Sequence, residues 1–64
     1  MGFLQAQYKY ICHRADKGFQ YDYADETKSH ETDRYWFLVD PFDRLIATVV
    51  KKTGKVHEGR RPIK

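Results

Sequence analysis

The stretch that most constrains the fold is residues 34–51, RYWFLVDPFDRLIATVVK, because two apolar runs are separated there by a short polar turn. Both runs, 35–39 and 45–50, are short and rich in β-branched and aromatic residues, which is typical of strands. Pro41 fixes the backbone angle at the second turn position, and Asp40 can accept hydrogen bonds from the amides that follow it. The segment therefore predicts a β-hairpin.

The N-terminal third alternates between apolar and polar side chains. One face of residues 3–14 would carry Leu4, Ala6, Tyr8, Tyr10 and Cys12. This period of two predicts a half-buried strand. Gly18 can adopt the positive φ of a tight turn, and a return strand would then carry Phe19, Tyr21 and Tyr23. We therefore expect a second hairpin at the N-terminus.

The remaining segments complete the predicted fold. Residues 25–33, DETKSHETD, contain no apolar side chain and predict a solvated connector. Residues 56–58 could form a short last strand, and Gly59 and Pro62 disfavour regular structure after it. The fold class expected is all-β, a small antiparallel meander of four to five strands that could curl into a half-barrel. Residues 1–58 would form one small domain, and 59–64 a loose basic tail.

Chain length limits the size of the core, and cysteine content indicates the redox compartment. A chain of 64 residues has room for a single small core. Cys12 is the one cysteine, so no internal disulfide is possible, which favours a reducing compartment. No apolar run approaches the ~20 residues of a membrane helix, and no signal-peptide pattern is present. The expectation is a soluble, cytoplasmic protein without membrane contact.

The positive charge is concentrated at the C-terminal end. The formal net charge is +3, and in residues 51–64 Glu58 is the one acid among the cations. Such a segment suits phosphate contacts with DNA or RNA, or an acidic protein partner, and the alternative is a solvated end that keeps the chain soluble. The cations predicted to bind nucleic acid are Lys17, Lys51, Lys52, Lys55, Arg60 and Arg61. The leading hypothesis is a small non-enzymatic binding module.

A local motif supports the same hypothesis. Residues 17–21, KGFQY, followed by Asp22 and Tyr23, resemble the K-G-F-x-[FY] core of the RNA-binding strand in cold-shock and RRM domains. The resemblance implies aromatic rings on an open sheet that stack on unpaired bases, with Lys17 close to a phosphate. Alternatively, Phe19, Tyr21 and Tyr23 are core residues that pair across the hairpin with Tyr8 and Tyr10.

The first central strand is apolar on both faces. Trp36 and Leu38 point to one side, and Tyr35, Phe37 and Val39 to the other. In a single open sheet one of those faces meets water unless the fold or another molecule covers it. The alternative function is therefore a protein–protein module or small inhibitor, which could also be a homodimer. Its partner-binding residues would be Tyr35, Trp36 and Leu38.

Metal binding and catalysis find little support in the sequence. The spacing of Cys12, His13, His30 and His57 matches no zinc pattern, so no metal and no cofactor are predicted. His57, with Glu58 and Arg60, supplies the groups of a small ribonuclease, but in a segment expected to be loose. The protein is expected not to be an enzyme, and a ribonuclease-like activity stays the open alternative.

Overall fold

One helix and a four-strand sheet make up the fold in the computed structural model, which describes residues 1–59. The elements are α1 (Phe3–Asp16), β1 (His30–Glu31), β2 (Tyr35–Val39), β3 (Leu45–Val50) and β4 (Val56–Glu58). The sheet is an antiparallel meander in the order β1-β2-β3-β4, and α1 packs on one face of it. The predicted antiparallel meander is confirmed for four strands, and the sheet does not close. The all-β class holds only in part, because α1 is present beside the sheet. Apart from Gly59, the predicted tail 59–64 lies outside the described residues.

The N-terminal segment forms α1 and not the predicted strand. Ala6 and Tyr10 are buried and Phe3 is half-buried, a spacing of three and four residues that belongs to one helix face. Gln, Leu, Ala and Lys, which fill much of the segment, are good helix formers. The misleading period of two came from Leu4 and Tyr8, which are 77% and 64% exposed. Burial against the sheet therefore selects the helix.

The segment after α1 is irregular. Gly18 has a φ of 74°, and the Phe19 N–H donates to the Arg14 C=O at 2.9 Å, a common way to end a helix at glycine. Residues 17–21, which resemble an RNA-binding strand, thus lie in a helix end and the coil after it. Phe19, Tyr21 and Tyr23 are all exposed. Both the return strand and the core-face alternative are therefore wrong.

The central hairpin is confirmed with the predicted bounds. In its register Trp36 pairs with Val49 and Leu38 with Ala47, and all four side chains are buried in the core with Ala6 and Tyr10 of α1. The Trp36 Nε1–H donates to the Met1 C=O at 3.0 Å, and the Phe3 ring meets the Trp36 ring edge-on at 5.8 Å. The face that carries Trp36 and Leu38 is thus covered by α1.

The polar connector 25–33 does more than join elements. It supplies β1, a strand that the sequence did not predict, whose residues pair with Trp36 and Phe37. Just before β1, the Asp25 N–H donates to the Val39 C=O at 2.7 Å, and the Ser29 Oγ accepts from the Val39 N–H at 3.0 Å. These two hydrogen bonds pair the backbone C=O and N–H of Val39 at the end of β2, beyond the residues that pair with β1.

The turn between β2 and β3 is organised by the buried Asp40. Its Oδ1 accepts hydrogen bonds from the N–H groups of Phe42 and Arg44, each at 2.9 Å, and its Oδ2 accepts from the Arg44 Nε at 3.0 Å. These bonds, with the Arg44 backbone amide first, lower the pKa of the Asp40 carboxyl below its usual 3.8. Asp40 is therefore the structural turn residue that the sequence indicated.

We expect Asp40→Asn to lower the melting temperature by several degrees at pH 7 and to have little effect at pH 2.5. A carboxyl whose pKa is lowered by folding stabilises the fold above its unfolded pKa, and that contribution disappears as the pH falls. Circular dichroism melts from pH 7 to pH 2.5 measure the difference. Asp16→Asn is the matched control, because Asp16 is exposed and forms no ion pair within residues 1–59. A constant difference between Asp40→Asn and the parent chain at every pH would contradict this role.

Candidate ligand-binding face

The sheet face opposite α1 is the candidate functional surface, and we call it the open face. By the strand register it carries His30, Tyr35, Phe37, Val39, Leu45, Thr48, Val50 and His57. Since α1, which covers the other face, is the one helix within residues 1–59, no described helix covers the open face. Most of its apolar side chains are half-buried by one another and keep part of their surface in contact with solvent.

Two aromatic rings lie side by side on the open face. Tyr35 and Phe37 occupy alternate positions of β2, so both side chains leave the same side of the strand. Their ring centroids are 5.8 Å apart and the planes are tilted by 50°. The open face therefore presents a short aromatic platform at its centre.

A depression lies at the end of this platform where β2 begins and β3 ends. It has a volume of about 500 Å³ and is lined by Asp33, Arg34, Tyr35, Val50 and Lys52. Arg34 and Lys52 are exposed, and neither forms an ion pair within residues 1–59. This basic depression thus combines one aromatic ring with two cations and the carboxylate of Asp33, which leaves a net charge of +1.

A second depression lies towards the other end of the open face. Its volume is about 450 Å³, and its lining residues are Lys28, His30, Thr32, Phe37, Val39, Asp43 and Leu45. Phe37, Val39 and Leu45 give it an apolar floor. Its two charged groups neutralise each other, because the Lys28 Nζ lies 2.8 Å from the Asp43 Oδ1. We call it the apolar depression.

The structure brings together some of the predicted nucleic-acid-binding cations and separates others. Lys51, Lys52 and Lys55 lie in and beside the turn between β3 and β4, where Lys51 is paired with Glu31. Lys17 follows α1, whose last turn contacts Glu58 at the far end of β4. Arg60 and Arg61 lie outside the described residues.

The predicted partner-binding residues are also divided. Trp36 is 9% exposed and Leu38 is 0% exposed, both beneath α1, so the face around Trp36 offers no contact surface. Tyr35 lies on the open face instead. Arg34 and Phe37 belong to the candidate site, although the sequence did not select them. Phe37 could have been identified from the alternation of side chains along β2, because this alternation places Phe37 on the same side of the strand as Tyr35.

Two of the groups considered for catalysis, His57 and Glu58, lie on opposite faces of β4, and the third, Arg60, lies outside the described residues. The side chain of His57 lies on the open face opposite Thr48. Glu58 lies on the α1 side, where its Oε1 is 2.7 Å from the Arg14 Nη1 and its Oε2 is 3.1 Å from the His13 Nε2. His57 and Glu58 therefore cannot act on one bond. Within residues 1–59 no cluster of His, Cys, Asp or Glu could hold a metal ion, and no helix could span a membrane.

Taken together, the described residues form a small antiparallel sheet with a helix on one face and an aromatic, partly basic surface on the other. No protein family, curated protein or solved structure matches the chain.

Proposed function

We propose that the protein is a small nucleic-acid-binding module that holds unpaired nucleotides on the open face. The observation that carries the proposal is the basic depression, in which the Tyr35 ring stands beside Arg34 and Lys52. A nucleotide joins a flat base to a phosphate, and those two parts prefer an aromatic ring and a cation respectively. The guanidinium fork of Arg34 suits two phosphate oxygens, and Lys52 adds a second positive charge.

The form of the depression favours an unpaired strand over a duplex. Stacking on Tyr35 requires a base whose flat side is accessible, and in a duplex that side is covered by neighbouring bases. The ligand class is therefore single-stranded DNA or RNA, or an unpaired loop.

The location of the unpaired cations supports the basic depression as a phosphate site, whereas the net charge of the chain does not. The formal net charge of +3 equals the contribution of Arg60, Arg61 and Lys64, so residues 1–59 carry as many acids as cations. Attraction of phosphate within that part must come from locally unpaired cations. Arg34 and Lys52, which line the basic depression, are two such cations. One or two phosphate contacts predict a shallow dependence of affinity on salt.

We expect Tyr35→Leu to weaken binding of a single-stranded hexanucleotide about tenfold or more, since loss of one base-stacking ring has an effect of that order. Fluorescence anisotropy of labelled RNA and DNA strands measures the affinity. Leucine keeps the apolar contact with Phe37, so the fold is retained. Tyr8→Leu is the control, because Tyr8 is an exposed tyrosine on α1. Equal affinities of the two variants, or tighter binding of duplex than of single strands, would contradict the proposal.

A second candidate is self-association through the same face. The aliphatic side chains of Val39, Leu45 and Val50 lie on it, and two such faces could pack against each other as sheets do. Sedimentation equilibrium at several concentrations without nucleic acid tests this candidate. A dimer that the hexanucleotide converts to monomer would place both partners on the open face, whereas a monomer at every concentration removes the candidate.

A further inference from the structure

We infer that the apolar depression is a second base-binding site, so that the smallest well-bound ligand is a dinucleotide and not a single nucleotide. This inference rests on the proposed function. The first base would stack on Tyr35, with its phosphate at Arg34 and Lys52. The second base would stack on Phe37.

The spacing of the two rings supports two separate bases. The rings of Tyr35 and Phe37 lie side by side on β2, with centroids 5.8 Å apart and planes tilted by 50°, so bases that stack on the two rings do not stack on each other. Two successive bases can therefore cover both rings only when they are unstacked from each other. An unpaired, extended strand permits this arrangement, and a duplex does not.

The chemistry of the apolar depression suits a base and not a phosphate. Phe37, Val39 and Leu45 offer an apolar floor for a flat ring. The ion pair between Lys28 and Asp43 leaves no net charge there to attract phosphate. The second nucleotide should thus add stacking to the affinity without adding a charged contact.

His30 is the group best placed to contact the edge of the second base. It is exposed and lines the apolar depression, and its side chain makes no hydrogen bond within residues 1–59. Its imidazole can donate from one ring nitrogen and accept at the other. The nearby Thr32 hydroxyl already accepts a hydrogen bond from the Tyr35 N–H at 3.0 Å, so it is less available.

The test is a length series of uridine 5′-monophosphate and oligouridylates of two, three and six nucleotides, titrated by NMR against the whole chain. We expect the dinucleotide to bind at least about fivefold tighter than the mononucleotide, with only small further gains for longer strands. In Phe37→Leu the dinucleotide should bind no more than about twofold tighter than the mononucleotide. His30→Ala should remove part of the gain. Phe42→Leu is the matched control, because Phe42 is an exposed aromatic residue in the turn between β2 and β3.

The outcomes separate this inference from the function on which it rests. Equal affinities for one and two nucleotides, or an equal loss for both in Phe37→Leu, overturn the second base site and leave the first site in place. Failure of every strand to bind overturns the proposed function as well. Far-UV circular dichroism of Phe37→Leu reports whether the variant is folded.

Discussion

Leu38→Ala is expected to leave the chain largely unfolded at 25 °C. Leu38 is 0% exposed at the centre of the core, where it lies between α1 and Ala47 of β3. Truncation of a buried leucine to alanine costs about 2–5 kcal/mol. The core of a domain this small rarely supplies more than about 3–5 kcal/mol of net stability. The loss is therefore comparable to the whole free energy of unfolding.

Urea titration followed by far-UV circular dichroism measures this effect. Val39→Ala is the matched control, because Val39 is the next residue of β2 but lies half-buried on the open face. It should lose less than half as much stability as Leu38→Ala. If the two variants unfold at the same urea concentration, α1 does not cover the face of β2 that carries Leu38. A smaller loss in Val39→Ala would also show that the open face contributes less to stability than the face covered by α1.

Local chemistry explains why the central hairpin was predictable and α1 was not. In the hairpin, two apolar runs and the Asp40–Pro41 turn all favour the same structure, so no distant contact had to be known. In residues 3–16 the apolar residues fit both a strand and a helix. The choice depends on burial of Tyr10 and exposure of Tyr8, which are set by contact of α1 with the sheet. That contact joins residues distant in sequence, and a local pattern does not contain it.

The candidate site illustrates the same limit at the level of single residues. The sequence identified Tyr35 and Lys52, but in two different hypotheses, as a protein contact and as a phosphate contact. They meet because Tyr35 pairs with Val50 across β2 and β3, which brings the turn after β3 beside the ring. Which face of β2 is open depends on α1, and the sequence had placed no helix there. The sequence therefore indicated the residue types of the candidate site, but not where in the fold these residues meet.

Reversing both charges of the basic depression should weaken binding of single-stranded nucleic acid about a hundredfold. In Arg34→Glu combined with Lys52→Glu, two charge-assisted phosphate contacts are lost, each worth about tenfold in affinity, and two repulsive charges replace them. The slope of log affinity against log salt should fall to near zero, because each phosphate contact with a single strand contributes about 0.7 to it. Anisotropy titrations of the hexanucleotide at several salt concentrations measure both quantities.

The matched control is Lys17→Glu combined with Lys55→Glu, which changes the net charge by the same amount. Lys17 and Lys55 are exposed, and neither lines the basic depression. If phosphate is held by the depression, this control should keep most of the affinity and of the salt slope. If both double variants weaken binding equally, phosphate is attracted by the general field of the basic residues. The geometry of Tyr35 with Arg34 and Lys52 would then have no special part in binding, and the basic C-terminal segment would become the better hypothesis.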